Sequence, residues 1–181
     1  AAAVIDAWIA THPPCEPAGG SETILDNGQP GTSFSGKWTV SGGAGFYGQD
    51  SLYSKTAGAK YVFDIPLAQP GDYEVFLWWT QYSSRASAVP VSIAYASGTD
   101  NRTVDQRTNG GQWNLMGTYT FGSSAKVTIT AVGGDLSTCA DAVRVVRVDG
   151  EEPVILDDGQ PGTSSAGAWL ISGGANPYGT K

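Results

Sequence analysis

The chain has 181 residues, with Gly 25, Pro 10 and 10% aromatics beside only 15% charged residues, a mixture that favours short strands and turns and a length that suits one sizeable core. Ten basic residues against 17 acidic ones give a net charge of −7, which argues against a protein that holds nucleic acid or anionic membrane by neutralising phosphates. No stretch approaches the roughly 20 apolar residues that span a bilayer, and the opening AAAVIDAWIATHPP lacks the basic flank of a signal peptide, so the chain reads as an interior piece of a mature protein.

In chain order, Val4, Ile5, Trp8 and Ile9 recur at helical spacing and predict a short helix over residues 1–12, which Pro13 and Pro14 end. With the linker PPCEPAGGSE, residues 1–21 read as helix and linker left from a preceding domain. At Ile24 a repeat begins. ILDNGQPGTSFSGKWTVSGGAGFYG, Ile24 to Gly48, returns as ILDDGQPGTSSAGAWLISGGANPYG, Ile155 to Gly179, every match offset by 131 positions. That is one domain length, so the repeat signals tandem globular domains rather than a solenoid. Residues 22–149 form the complete copy and residues 150–181 a linker and the truncated start of the second. The roughly 29 residues of the second copy cannot bury a core alone.

Between Thr23 and Val148 the pattern is that of strands. Tyr61, Phe63 and Ile65 alternate, as do Tyr73, Val75, Leu77 and Trp79, then Val89, Val91, Ile93 and Tyr95. Leu115 to Phe121, Val127 to Val132 and Ala142 to Val148 continue the series, with turn signals at QPGD, SGTDN, TNGG, FGSS and GGD. Seven or eight strands at this spacing predict an all-β, antiparallel β-sandwich. Two cysteines, Cys15 and Cys139, are too few for a zinc site. A disulfide between them in an oxidising compartment and a pair of free thiols both remain open.

GDYEVFLWWT from Gly71, then AVPVSIAYASG, TVDQRTNGGQWNLMGTYTF and CADAVRVVRV, follow a leading ILDN and a Gly-Lys-Trp. This ordered set resembles the golvesin C-terminal-like family, also found attached to xanthan lyases, over about residues 24–148. The resemblance implies a jelly-roll-like, galactose-binding-like accessory domain, associated with polysaccharide-active and other secreted bacterial enzymes and pointing to carbohydrate binding. Met116 departs from the family's pattern, which usually has Leu directly before the Gly.

Sugar binding relies on aromatic faces stacked on pyranose rings and on planar polar side chains that satisfy hydroxyls in pairs. Trp79, Tyr82, Arg85, Asp105, Gln106 and Trp113 are the candidate ligand-binding set, expected to converge at one rim. If Tyr73 to Trp79 alternate toward the core, Phe76 and Trp78 face the other way. The competing reading makes Trp38, Trp78, Trp79 and Trp113 core or loop anchors and pairs Asp105 with Arg85 or Arg107. The recurrence of Trp38 as Trp169 and Tyr47 as Tyr178 leans toward structure. Asp26, Asn27, Asp50, Asp135 and Asp141 raise structural calcium, with Asp26 and Asp141 as its ligands. Against this, Asn27-Gly28 is a strong turn pair, while an Asp141 buried between two alanines needs some partner. No other cofactor is expected.

Catalysis has little support. The only histidine, His12, lies outside the repeat, so no Ser-His-Asp or Cys-His set can form within the domain. GGAGFYG lacks the Lys and Ser/Thr of a phosphate-binding loop. The expectation is a non-catalytic, secreted, extracellular module of a larger bacterial protein that binds polysaccharide or cell-surface glycan, with neighbouring domains of the same chain as further partners and neither nucleic acid nor membrane insertion. The alternative is a spacer or assembly domain with no ligand site.

Overall fold

A computed structural model describes residues 21–148. The helix expected over residues 1–12, Cys15 and the second copy at 150–181 lie outside the described residues. Twelve strands follow one another: β1 (Glu22–Asp26), β2 (Thr32–Ser35), β3 (Thr39–Val40), β4 (Leu52–Ser54), β5 (Lys60–Pro66), β6 (Gly71–Trp78), β7 (Val89–Tyr95), β8 (Gly98–Val104), β9 (Asn114–Phe121), β10 (Ser124–Thr130), β11 (Thr138–Ala140) and β12 (Ala142–Arg147). No helix occurs among the described residues.

The strands form an antiparallel sandwich. One sheet has the order β1-β12-β6-β9, the other β2-β5-β10-β7-β8, and a small third sheet β11-β4-β3 lies beside them. The alternation read in the sequence is what builds the core. Tyr73, Val75 and Leu77 of β6 and Val143 and Val145 of β12 are buried on one side, with Tyr61, Phe63 and Ile65 of β5, Val89, Val91 and Ile93 of β7 and Val127 and Ile129 of β10 on the other. Each fully buried Val or Ile side chain contributes roughly 1.5–3 kcal/mol by leaving water. The cores of β5, β6, β7, β9, β10 and β12 stand where the periodicity predicts them.

The strand count exceeds the expected seven or eight because β3, β4 and β11 span only two or three residues each. β8 was hidden for another reason. Its sequence GTDNRTV is mostly exposed along the edge of the larger sheet, where charges such as Asp100 and Arg102 blunt an open edge and erase the apolar alternation. Of SGTDN only Ser97 lies in the turn, with Ala96 before it, since Tyr95 pairs with Gly98.

Met116 has a structural explanation. In the β6/β9 ladder Val75 faces Gly117 while Phe76 faces Leu115, so Met116 is the extra residue of a β-bulge. The bulge turns Met116 inward, at 7% exposure, and leaves Leu115 outward at 53%.

Candidate functional site

The loop from Trp79 to Ala88, WTQYSSRASA, has no apolar alternation and leaves the sheet. A turn closed by Arg85 N–H donating to Tyr82 O (3.0 Å) folds it back, and Ala86 N–H to Ser137 O (2.9 Å) and Ser137 N–H to Ser84 O (3.0 Å) pin it to the segment before β11. Arg85 is thereby held at 3% exposure. Its Nε donates to Thr80 O (3.2 Å), Nη1 to Ser137 Oγ (3.1 Å), and Nη2 to Ser41 Oγ (2.9 Å) and Thr80 Oγ1 (2.7 Å). The rings of Tyr53 and Tyr82 flank the guanidinium, with centroids 5.9 and 5.7 Å from Cζ, in the range of cation–π attraction. No carboxylate pairs with Arg85 among the described residues.

Arg85 lines a recess of about 320 Å³ with Ser41, Gly43, Tyr53, Lys55 and Tyr82. That volume falls within the size range of small-ligand sites. Tyr82 is 43% exposed and its hydroxyl accepts from Ala44 N–H (3.3 Å). Gly43 makes room for it, because a Cβ there would fall 2.7 Å from Tyr82 Cε2. Serine hydroxyls, a guanidinium, an ammonium and two tyrosine rings together offer donors and apolar ring faces of the kind that sugars use.

The six expected site residues do not converge. Tyr82 and Arg85 share the recess, while the other four are spoken for elsewhere. Trp79 belongs to the core, its Nε1–H donating to Thr108 O (2.9 Å). Gln106 is fully buried and bridges β11, donating to Cys139 O (2.9 Å) and accepting from Cys139 N–H (2.7 Å). Asp105 pairs with Arg107 at 2.7 Å, as the competing reading allowed, and that guanidinium pulls its carboxyl down to about 2. Trp113 packs at a tilt against Tyr47 and edge-on against Trp78, ring centroids 5.2 Å away in each case, on the outer face of the smaller main sheet. There Arg144 lies over both Phe76 and Trp113. Phe76 and Trp78 thus do face outward, and packing on that face accounts for them. The repeated Trp38 packs edge-on against Tyr61 at 5.3 Å.

Sequence reasoning missed Tyr53, Lys55 and Ser41. They sit on or beside strands too short to show a period, and their only signal was proximity in the fold to the QYSSRAS loop. Cys139 carries a free, buried thiol whose Sγ is 3.3 Å from Thr80 Oγ1. Cys15, the other half of the expected disulfide, lies outside the described residues, and burial pushes the Cys139 thiol pKa up.

At the domain's end Asn27 joins two of the carboxylates, those of Asp26 and Asp50, and the backbone of Asp141. Asn27 N–H donates to Asp141 O (2.8 Å) and Asp26 Oδ1 (2.9 Å), and Asn27 Nδ2 to Asp50 Oδ1 (2.6 Å). Asn27-Gly28 is also the expected turn, Gly28 having φ +78°. Asp141, wholly buried, accepts Tyr47 N–H at 3.2 Å on Oδ1 and leaves Oδ2 without a partner, as Asn27 leaves Oδ1. Burial, then the charges of Asp26 and Asp50 against the Tyr47 bond, push the Asp141 carboxyl up to about 8. Burial pushes Asp26 up to about 6. Among the described residues no three His, Cys, Asp or Glu side chains stand closely enough to hold a metal by themselves.

A second recess, of about 330 Å³, lies at the far edge between Tyr95, Thr99, Asp100 and Tyr119. Its carboxylate is held down by hydrogen bonds from Arg102 and Tyr119.

The antiparallel sandwich resembles the fold of family 35 carbohydrate-binding modules. The module from Clostridium thermocellum superposes with a TM-score of 0.52 at 14% identity, covering 71% of this chain and 99% of that one. The module from an environmental isolate gives 0.53 at 18%, covering 68% and 92%. Within that class of sandwich, residues 23–147 match the Golvesin C-terminal domain, and the chain belongs to that family. The xanthan lyase of Bacillus sp. (strain GL1) is 39% identical over 137 residues, 69% of this chain and 14% of the lyase. The solved Paenibacillus xanthan lyase is 31% identical with a TM-score of 0.68, covering 74% of this chain and 14% of that one. The chain thus spans a small part of these relatives.

Proposed function

We propose that the domain is a non-catalytic accessory module of a secreted, extracellular bacterial protein and binds polysaccharide or cell-surface glycan at the Arg85 recess. The observation that carries this reading is the recess itself: two tyrosine rings around a rigidly held guanidinium, rimmed by serine hydroxyls. The relation to xanthan lyases and the fold of carbohydrate-binding modules support it, as does a jelly-roll-like, galactose-binding-like reading of the sheets. Repetition of the domain would raise avidity through effective concentration. The test is retention of the full chain on a panel of polysaccharides beside a folded Tyr82→Ala variant. Retention that the variant loses is expected; retention by no member would favour the spacer reading, for which the absorption of Trp79 and Trp113 into packing speaks.

Calcium at the Asp26 and Asp141 end is part of the same proposal. Two buried acceptor oxygens without donors, Asp141 Oδ2 and Asn27 Oδ1, suit a cation that takes six to eight oxygens, amide and carbonyl oxygens among them. A rise in melting temperature on adding calcium, absent in Asp141→Asn, is the expected result; no rise would remove calcium from the account.

A further inference from the structure

The charge around the Arg85 recess runs against that of the protein. The chain carries −7 overall, yet every charged residue that lines the recess is a cation, Lys55 and Arg85. A smaller recess of about 190 Å³ shares Tyr53 and Lys55 with it and adds Lys37, again with no acid among its lining residues. Neither lysine forms an ion pair among the described residues.

Arg85 makes the case stronger than surface lysines could. A guanidinium stays charged at every physiological pH and cannot shed a proton to fit its surroundings. Burying it without a carboxylate is costly unless neutral dipoles hold it, and they do: a carbonyl and three hydroxyls. Those bonds use Nε and both Nη2 hydrogens and leave one Nη1 hydrogen of the five donors. The charge is therefore fixed in place, without a bonded carboxylate, at the wall of an open recess. The opposite recess, whose carboxylate Asp100 is kept ionised by Arg102 and Tyr119, has the reverse character.

Resting on the glycan-binding reading, we propose that the Arg85 recess takes an anionic sugar residue, its carboxylate or sulfate ester held by Arg85 and Lys55 and its ring lying against Tyr82 or Tyr53, with the next residue of the chain passing Lys37. Carboxylate and sulfate share the chemistry that the site recognises: oxygens carrying negative charge that accept from guanidinium, ammonium and serine hydroxyls. The net charge of the protein repels a polyanion at long range, so binding has to come from this local basic track and weakens with salt.

The experiment is affinity electrophoresis of the full chain in gels containing polygalacturonate, the same polymer fully methyl-esterified, dextran sulfate or dextran. Retardation by an acidic polymer and not by its neutral counterpart is expected, with polygalacturonate alone naming the carboxylate and dextran sulfate alone the sulfate ester. Lys37→Ala and Lys55→Ala, both at exposed positions, should each weaken binding about threefold. Arg85→Lys, checked for folding by its melting curve, should weaken it further, because a lysine cannot present the same fork. Equal retardation by neutral and acidic polymers overturns the anionic assignment and leaves the glycan-binding reading standing. Retardation by none overturns both. Acidic retardation unchanged in the double lysine variant and in Arg85→Lys overturns the assignment of the site.

Discussion

Arg85 and Asp141 are both buried, at 3% and 0% exposure, and the fold treats them in opposite ways. Arg85 is surrounded by oxygen acceptors and tyrosine rings, so its charge is met without any counter-ion. Asp141 receives a single backbone N–H and faces Asp26 and Asp50, which share its sign, with Arg85 only a weaker attraction against them. The difference follows from chemistry: an arginine cannot neutralise itself, so its dipoles must be built in, whereas an aspartate can take up a proton or a metal. One buried charge is finished by the protein; the other is left for something from solution to finish.

The largest effect should therefore come from pH acting on the unfinished charge. In EDTA, the folded state keeps a proton on Asp141 up to about pH 8, while the unfolded chain releases it near 3.8. Asp26, raised to about 6, acts in the same direction. The folded state thus binds more protons in this window, and stability is greatest near pH 4 and declines as pH rises toward 8. At about 1.4 kcal/mol per pH unit, Asp141 alone accounts for a loss on the order of 4 kcal/mol between pH 4 and pH 7. Urea denaturation across that range should show the decline, millimolar calcium should flatten it, and Asp141→Asn should keep only the smaller part that Asp26 contributes. A wild-type curve that is flat in EDTA would break the comparison.

Arg85→Ala should cost somewhat less, about 3 kcal/mol, through the orphaned oxygens of Ser41, Thr80 and Ser137. Its cost should change far less between pH 5 and pH 8 than the wild-type stability does, since arginine does not titrate there and only its weak attraction on Asp141 varies with pH. Gln106 sharpens the contrast as a buried polar group with no charge. Its amide ties both backbone groups of Cys139, so Gln106→Leu should cost about 2 kcal/mol by leaving them unpaired, independently of pH. Denaturation midpoints at the two pH values check both.

The sandwich was legible in the sequence because its long strands bury one face, and a period of two records that. Tyr61 to Ile65, Tyr73 to Leu77 and Val89 to Ile93 carry it plainly. The site was legible only in part. Tyr82 and Arg85 stood out as polar and aromatic residues in a loop between strong strands, and a loop residue is free of the alternation that marks core. Trp79 and Gln106 looked equally suitable; the alternation from Tyr73 already reached Trp79 and is what takes it into the core, whereas no local pattern records that Gln106 reaches a strand 33 positions away. Tyr53 and Lys55 come to the recess through the pairing of β4 with β11 and β3, long-range contacts that strands of two or three residues do not announce. Asp141 was the easiest of the charged residues to anticipate, since Ala on both sides, at the opening of a terminal strand, marked it for burial.

The smallest effect belongs to Asp105, and it tests the comparison from outside. Its pair with Arg107 lies at the surface, and the guanidinium's bonds lower the carboxyl to about 2. The sign is the reverse of that for Asp141: the folded state binds fewer protons, so the contribution is present above about pH 4 and is lost as pH falls through 2. Solvent screens the pair and its side chains are ordered at some entropic cost, so little of that shift survives as stability. Asp105→Asn should leave the melting temperature at pH 7 within about 1 °C of the wild type and leave polysaccharide retention unchanged. A clear loss of retention in this variant would place Asp105 back among the ligand contacts and extend the site beyond the recess; a clear loss of stability would mean that exposure, rather than burial, decides how strongly this domain feels a charge.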